Sequence, residues 1–222
     1  MGFSAGADLV GGVVIGAVGV DVLRHVRGRR RYMALAALPL LLAVHQLDEA
    51  FVWWGLQGHV PASLGRVAEW VYLTFAFVVL PVYVPVAILA LERERRRRRM
   101  MAPFVVLGAV VAGILLAAMV RGPVTATLGS HYIGYSTDLH AGGFVVMLYV
   151  TATCGALMLS GVRDIARYGV VNLVAVALLA RLTIDGFASL WCAWAAISSA
   201  AFAIHLRDRR QPAGAGEVPV AS

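Results

Sequence analysis

The segment at residues 45–54, HQLDEAFVWW, places acidic side chains in a strongly apolar stretch of the chain. Asp48 and Glu49 are adjacent carboxyls, and His45 lies one helical turn before Glu49. In a helix, positions 45, 49 and 53 share one face, and position 48 lies about 100° around the axis. A charged group in hydrocarbon costs about 2.5–3.5 kcal/mol on insertion scales, so at least one acid should face the interior of a helix bundle. A buried carboxyl without a full partner can remain protonated, which suits a general acid.

Other polar and aromatic residues are expected to converge on the same end of such a bundle. Asp185, at the start of the last apolar segment, is the third candidate catalytic acid beside Glu49 and Asp48. Aromatic faces attract cations, so aromatic side chains next to an acid could shelter a carbocation. The predicted substrate-binding residues are His45, Trp53, Glu69, Tyr132, Tyr135, Trp191 and Trp194.

Two non-catalytic roles could also explain these residues. The first is a structural ion pair of Asp48 or Glu49 with Arg66 or Arg181. The second concerns the aromatic residues, since Trp and Tyr commonly form belts at membrane interfaces. A zinc site built from Asp48 and histidines is a further possibility, but no HxxxH or HExxH pattern is present. We therefore predict no metal site and, in the absence of a P-loop or dinucleotide fingerprint, no cofactor.

Composition indicates the structure that must position these residues. The chain has 222 residues, of which 60% are hydrophobic and 14% charged, and this balance is typical of a multi-span membrane protein. A spanning helix needs roughly 20 mostly apolar residues. Seven candidates run about 6–23, 33–56, 66–91, 101–120, 141–160, 169–183 and 186–206. We predict an all-α integral membrane protein with a single seven-helix bundle over 1–206 and a disordered cytoplasmic tail over 207–222.

The arginines predict how the bundle is oriented. Sixteen of the 19 basic residues, all arginine, fall in alternate connections or after the last span, which places the N-terminus outside and the C-terminus in the cytoplasm. The net charge of +7 is thus explained by membrane orientation, and we predict a bilayer rather than nucleic acid as the partner. Because lysine is absent, a retinal Schiff base or a pyridoxal phosphate anchor is excluded. The two cysteines, Cys154 and Cys192, are expected to pack as small apolar residues.

Several stretches together resemble an uncharacterised family of small bacterial integral membrane proteins that is common in actinobacteria. They are MGFSAGADLVGG, ALPLLLAVHQLDEAFVW, PVYVPVAILALE, HYIGY and FASLWCAWAAISS. The family pattern has Cys at position 2 and a Gln-Gln-x-x-Glu-Gly type of motif in span 2, whereas this chain has Gly2 and HQLDEA. The resemblance implies that Glu49 is the family acid, that His45 and Asp48 are additions, and that the protein lies in the bacterial plasma membrane.

A looser resemblance is to seven-helix membrane terpene cyclases, whose essential acids come from an early and a late span. Glu49 or Asp48 and Asp185 match that arrangement in position. We therefore expect an enzyme acting on a lipophilic small molecule, most concretely a meroterpenoid or sesquiterpenoid cyclase started by protonation. The alternatives are a proton-coupled transporter or channel and a structural membrane protein. A zinc-dependent lipid hydrolase comes last, since the last span lacks the paired histidines of alkaline ceramidase-type enzymes.

Overall fold

A computed structural model describes residues 4–28, 30–129, 132–137, 141–182 and 187–208. In chain order the helices are α1 (Ala5–Val26), α2 (Arg30–Leu56), α3 (Ala62–Thr74), α4 (Leu80–Leu91), α5 (Arg95–Arg121), α6 (Gly142–Met158), α7 (Arg163–Leu182) and α8 (Phe187–Asp208). A π-helical segment, Phe75–Val79, joins α3 to α4, so that Ala62–Leu91 forms one continuous rod. A helix therefore lies on every predicted span.

Five helices are long and apolar enough to cross a membrane, among the residues described: α1, α2, the α3–α4 rod, α5 and α8. Helix α6 is apolar but has only 17 residues. Helix α7 has 20 residues and begins at Arg163, six residues before the predicted span, which brings two arginines and an acid into its first turns. The chain is thus a helical protein of membrane type, and the predicted count of seven spans stays a prediction.

Helices α1 and α2 pack against each other more extensively than any other pair. The buried residues of α1 recur every three or four positions, which defines one face of the helix. Glycines on this face let the backbones approach: a Cβ at Gly12 would lie 2.7 Å from Leu47, and one at Gly19 would lie 2.7 Å from the backbone nitrogen of Leu40. Small residues serve this purpose in membrane helices generally. The same face carries Asp8, which this contact buries against α2.

The π-helical segment is explained by the proline that follows it. The Leu80 N–H bonds to the Phe75 carbonyl five residues back, and the next residue, Pro81, has no N–H to continue the pattern. The Ala76 carbonyl accepts instead from the Tyr149 hydroxyl of α6, at 2.7 Å. A side chain from a neighbouring helix thus satisfies the freed carbonyl, as an apolar surrounding requires.

The connection between α5 and α6 contains a β-hairpin that the sequence reading did not predict. Strands β1 (Val124–Leu128) and β2 (Ile133–Thr137) pair antiparallel, with Ala126 opposite Tyr135. Ile133 is completely buried, and β2 contacts α8 while β1 contacts α2. The hairpin therefore covers one end of the bundle, called here the hairpin end. The opposite end, where α1, the α3–α4 rod, α6 and α8 finish beside arginines, is called the arginine end.

Helix α8 continues through Asp208, two residues into the predicted tail, which stays a prediction. Residues 209–222 lie outside the described part of the chain. Both cysteines are free and buried, in agreement with the prediction that they pack as apolar residues.

Candidate functional site

Two buried carboxyls meet at the hairpin end. The Gln46 amide nitrogen donates to Asp8 Oδ1 at 3.2 Å and to Glu49 Oε2 at 3.3 Å, so one side chain joins an acid of α1 to an acid of α2. Asp8 and Gln46 are 3% exposed, and Glu49 is 1% exposed. The Trp53 indole lies near Asp8, but its N–H makes no hydrogen bond. We call Asp8, Gln46 and Glu49 the carboxyl pair and its bridge.

An aromatic stack stands beside this pair. The His45 ring lies over Tyr72 of α3 with centroids 4.0 Å apart and an interplanar angle of 20°. Tyr72 in turn stacks on Tyr135 of the hairpin at 4.7 Å and 16°. Phe75, the first residue of the π-helical segment, tilts against His45 at 4.7 Å. Three elements of the fold thus contribute rings to one continuous stack.

The polar neighbours of Glu49 belong to α3, α8 and the hairpin. Tyr72 and Ser189 lie close to its carboxyl, and Cys192 is within electrostatic reach of it. Ser189 and Cys192 are both buried on α8, three residues apart and so on one face of that helix. Burial raises the pKa of Tyr135 well above its ordinary value, and the nearby Glu49 acts in the same direction. The Tyr135 phenol therefore keeps its proton.

The buried polar atoms without a hydrogen-bond partner concentrate in this region. Within the described residues there are ten such side-chain atoms, and every one belongs to the hairpin end. They include both ring nitrogens of His45, one oxygen of each member of the carboxyl pair, and the hydroxyls of Tyr72 and Tyr135. Native proteins pair nearly all buried polar groups, so this concentration makes the hairpin end the candidate site.

The structure does not form the structural ion pair that the sequence left open. The three ion pairs among the described residues join partners three or four positions apart, and none involves Asp8, Asp48 or Glu49. Arg66 and Arg181 are both exposed. The carboxyl pair therefore lies in an apolar bundle, and no cation from the described part of the chain is bonded to it.

Several predicted site residues are brought together. His45, Glu49 and Trp53 are 3%, 1% and 5% exposed, which confirms that they share the buried face of α2. Asp48 and Glu69 are half-buried, and each has one buried oxygen without a partner. Both lie within electrostatic reach of Tyr135, which is itself in the stack. These residues form the polar rim of the site.

Other predicted residues lie elsewhere. The Trp194 indole donates to Asn172 of α7 at 3.2 Å, and Trp191 packs edge-on against Tyr149 of α6. Both occupy different faces of α8 from Ser189 and Cys192. The Tyr132 ring lies over Gly129 in the hairpin turn, where a Cβ would come within 2.7 Å of it. Asp185, the third predicted acid, lies outside the described residues.

Sequence reasoning missed the partner of Glu49. Asp8 stands in an apolar segment one helical turn before Gly12, and the packing of that glycine on α2 could have indicated its burial. Gln46 and Tyr72 were also missed, because a single amide or phenol in a span has no distinctive spacing. No group of three His, Cys, Asp or Glu side chains in the described parts of the chain is arranged to hold a metal ion.

Comparisons with known proteins place the chain in a family without giving it an activity. A family model described as "Family of unknown function (DUF6629)" matches residues 1–217. This match confirms the resemblance to an uncharacterised family, over nearly the whole chain. No curated protein matches the chain. No solved structure matches it either.

Proposed function

Because this chain belongs to DUF6629, a family of unknown function, its activity has to be inferred from the site, and we propose a membrane-embedded enzyme that acts on a lipophilic small molecule. Its most concrete form is a terpene cyclase that starts the reaction by protonation. The observation that carries this proposal is the carboxyl pair, which is buried beside an aromatic stack and has no bonded cation among the residues that the structure describes.

The pair is suited to hold one proton for transfer. Two ionised carboxylates in an apolar bundle would repel each other strongly, and the Gln46 amide supplies hydrogen bonds but no positive charge. We expect Asp8 and Glu49 to share one proton, with Glu49 as the donor because it lies nearest the aromatic stack through Tyr72. Asp8 then stabilises the acid form and can take part in returning the proton.

The aromatic stack is suited to the cation that protonation would create. A carbocation in hydrocarbon has no water to solvate it, and the faces of aromatic rings attract positive charge. Trp53, Tyr72 and Tyr135 provide such rings within the same buried cluster. The Tyr135 phenol, whose pKa burial keeps high, stays neutral and adds no competing base.

The proposed reaction is an isomerisation. Glu49 transfers its proton to one carbon of a terminal alkene, or to an epoxide oxygen, and a tertiary carbocation forms with Glu49 left as carboxylate. The π electrons of a second alkene in the same molecule attack that cation and form the ring bond. A carbon next to the final cation loses a proton to the carboxyl pair, which forms a new alkene and restores the acid. No atoms are gained or lost.

The proposed orientation in the membrane follows from the arginines. We propose seven spans with the N-terminus outside, which puts the hairpin end at the outer surface of the plasma membrane and 16 of the 19 arginines on the cytoplasmic side. A proton-coupled transporter would need titratable groups along the whole bundle. At the arginine end the buried carboxyl Glu92 is already bonded to Gly161 and Ser160, which favours an enzyme over a transporter.

The test uses the full chain in lipid vesicles made with deuterated water. Linear polyprenyl compounds that carry a terminal alkene or epoxide are supplied, and products are identified by mass spectrometry and NMR. We expect a cyclised isomer of the alkene substrate that carries one deuterium at the protonated carbon. Proton flux driven by a pH gradient, without any cyclised product, would overturn the enzyme and support a transporter.

A further inference from the structure

An apolar groove runs along the outer face of the α3–α4 rod. It has a volume of about 810 Å³, within the range of small-molecule sites. Val67 and Val71 lie in it with 59% and 52% of their surface exposed, on the side of α3 turned away from the bundle. The complete lining is Ser63, Arg66, Val67, Trp70, Val71, Thr74, Phe75 and Val79. In a membrane this face meets lipid.

The groove is long enough for an extended hydrocarbon chain. From Ser63 to Val79 the helix rises about 24 Å. A single apolar chain can lie along this length against the valine and aromatic side chains of the lining.

The two ends of the groove differ in chemistry. Arg66 and Ser63 lie at the hairpin end, where Arg66 is exposed. Among the described residues Arg66 forms no ion pair, and the Glu69 carboxyl lies within its electrostatic reach. The remaining lining is apolar apart from Thr74. An arginine beside a hydroxyl is suited to a phosphate or another anion. The groove thus complements an amphiphile with an anionic head and one apolar chain.

Phe75 connects the groove with the carboxyl site. Its ring lines the groove and also contacts His45, the first ring of the aromatic stack. It is the first residue of the π-helical segment, a type of irregularity often found at functional sites. Phe75 therefore links the lipid-facing groove to the aromatic stack, and Tyr72 of that stack lies beside Glu49.

We propose that this groove is the lateral access route for substrate, which is an amphiphile with an anionic, phosphate-like head and a single apolar chain. Arg66 and Ser63 hold the head, the chain lies along Val67 and Val71, and rotation of Phe75 admits its end to the site of Asp8 and Glu49. The proposal rests on the function proposed above, and it names the substrate class and its path.

The test measures binding and needs no turnover. The full chain is placed in nanodiscs of phosphatidylcholine and exposed to an alkyl phosphate with a photoactivatable diazirine at the chain terminus. Crosslinked residues are mapped by mass spectrometry. We expect labels within 63–79 and, where the chain end has passed Phe75, on α2 around His45.

The role of the anionic head group is tested by removing the charge of Arg66 or that of the probe. Arg66→Gln should lower labelling by the phosphate probe about tenfold, because a charge-assisted hydrogen bond is lost at a partly exposed site. The matched control is Arg121→Gln, an exposed arginine at the same end of the bundle on α5. An alkyl alcohol of equal length should label more weakly and should not respond to Arg66→Gln. Equal labelling by both probes would overturn the anionic head.

The groove is tested by filling it. Val71→Trp should abolish labelling within 63–79, whereas Val110→Trp, on an equally exposed position of α5, should not. Phe75→Trp should remove the labels around His45 and leave those in the groove. Phe75→Ala should increase the labels around His45. Because the two variants should change these labels in opposite directions, misfolding of one variant cannot account for both results.

Three results would overturn the proposal: labels spread evenly over all lipid-facing helices, equal labelling by a two-chain phospholipid probe, or no effect of Val71→Trp. The proposed enzyme activity can be refuted independently of the access route. Glu49→Gln should leave the crosslinking pattern unchanged, so a correct pattern together with turnover that does not depend on Glu49 would refute the acid mechanism alone.

Discussion

The two ends of the bundle treat a buried carboxyl in opposite ways. At the arginine end, Glu92 Oε1 accepts from the Gly161 N–H at 2.6 Å and from the Ser160 hydroxyl at 3.2 Å. At the hairpin end, Glu49 has one long bond to Gln46, and its other oxygen has no partner. A saturated carboxyl fastens two loops together, whereas an unsaturated one is available for chemistry. The comparison thus distinguishes a buried carboxyl with a structural role, Glu92, from one with a proposed catalytic role, Glu49.

The strongest test of this comparison exchanges the two carboxyls for amides. Glu49→Gln should lower turnover of the cyclisation substrate by about 10²–10⁴-fold, since it removes the proposed general acid. Glu92→Gln should leave turnover near the native rate, because an amide oxygen can still accept from Gly161. Equal effects of the two variants on product formation would contradict the assignment of a catalytic role to Glu49 alone.

Removal of the whole side chain should reverse the ranking for stability. Glu92→Ala leaves a buried N–H without its charged acceptor, and we expect the free energy of unfolding to fall by about 1.5–3 kcal/mol. Glu49→Ala should lower it less, since the native group has only one long hydrogen bond to lose. Thermal unfolding in detergent is the measurement, and a larger loss for Glu49→Ala would make that acid structural.

Steric changes along α1 can sharpen the comparison. Gly12→Leu and Gly19→Leu both force a side chain into α2 and should each destabilise the protein by about 1–3 kcal/mol. Only Gly12 lies next to Asp8, so only Gly12→Leu should also reduce turnover. Gly11→Leu is the control, because a Cβ there meets nothing within 4 Å. Loss of turnover in Gly19→Leu to the same degree would show that the site depends on α1 as a whole.

The smallest expected effect concerns two tyrosines that bond to helix carbonyls at the same distance. Tyr149→Phe and Tyr83→Phe each remove a 2.7 Å bond, to Ala76 and Ala34 respectively, and should lower the free energy of unfolding by about 1 kcal/mol. Tyr149 supports the π-helical segment that begins at Phe75, so its loss should also alter turnover. Turnover that changes equally in both variants would remove the π-helical segment from the mechanism.

Much of the site on α2 could be predicted because it is local. The spacing of His45, Glu49 and Trp53 along one helix is a property of the helix itself, and their burial follows from an apolar segment with one inward face. The same holds for the helix positions, which follow from the lengths of apolar segments.

The remainder of the site depends on which faces meet. Asp8 joins Glu49 only because glycines bring α1 close to α2, and Tyr135 reaches Tyr72 only because a hairpin folds over the bundle end. Trp194 was predicted to line the pocket, yet the rotation of α8 directs it to Asn172. Helix rotation and the pairing of distant segments are set by packing between elements, which no spacing within one segment encodes.

The sequence by itself thus determined a set of apolar helices and one acidic, inward-facing segment, since both follow from periodicity and from the energetic penalty of charge in hydrocarbon. Only the tertiary structure decided that this acid has a carboxyl partner, that rings from three elements stack beside it, and that Phe75 touches that stack and also lines a lipid-facing groove. The stack alone joins residues 63 positions apart, Tyr72 and Tyr135, and packing of the whole bundle is what brings them together.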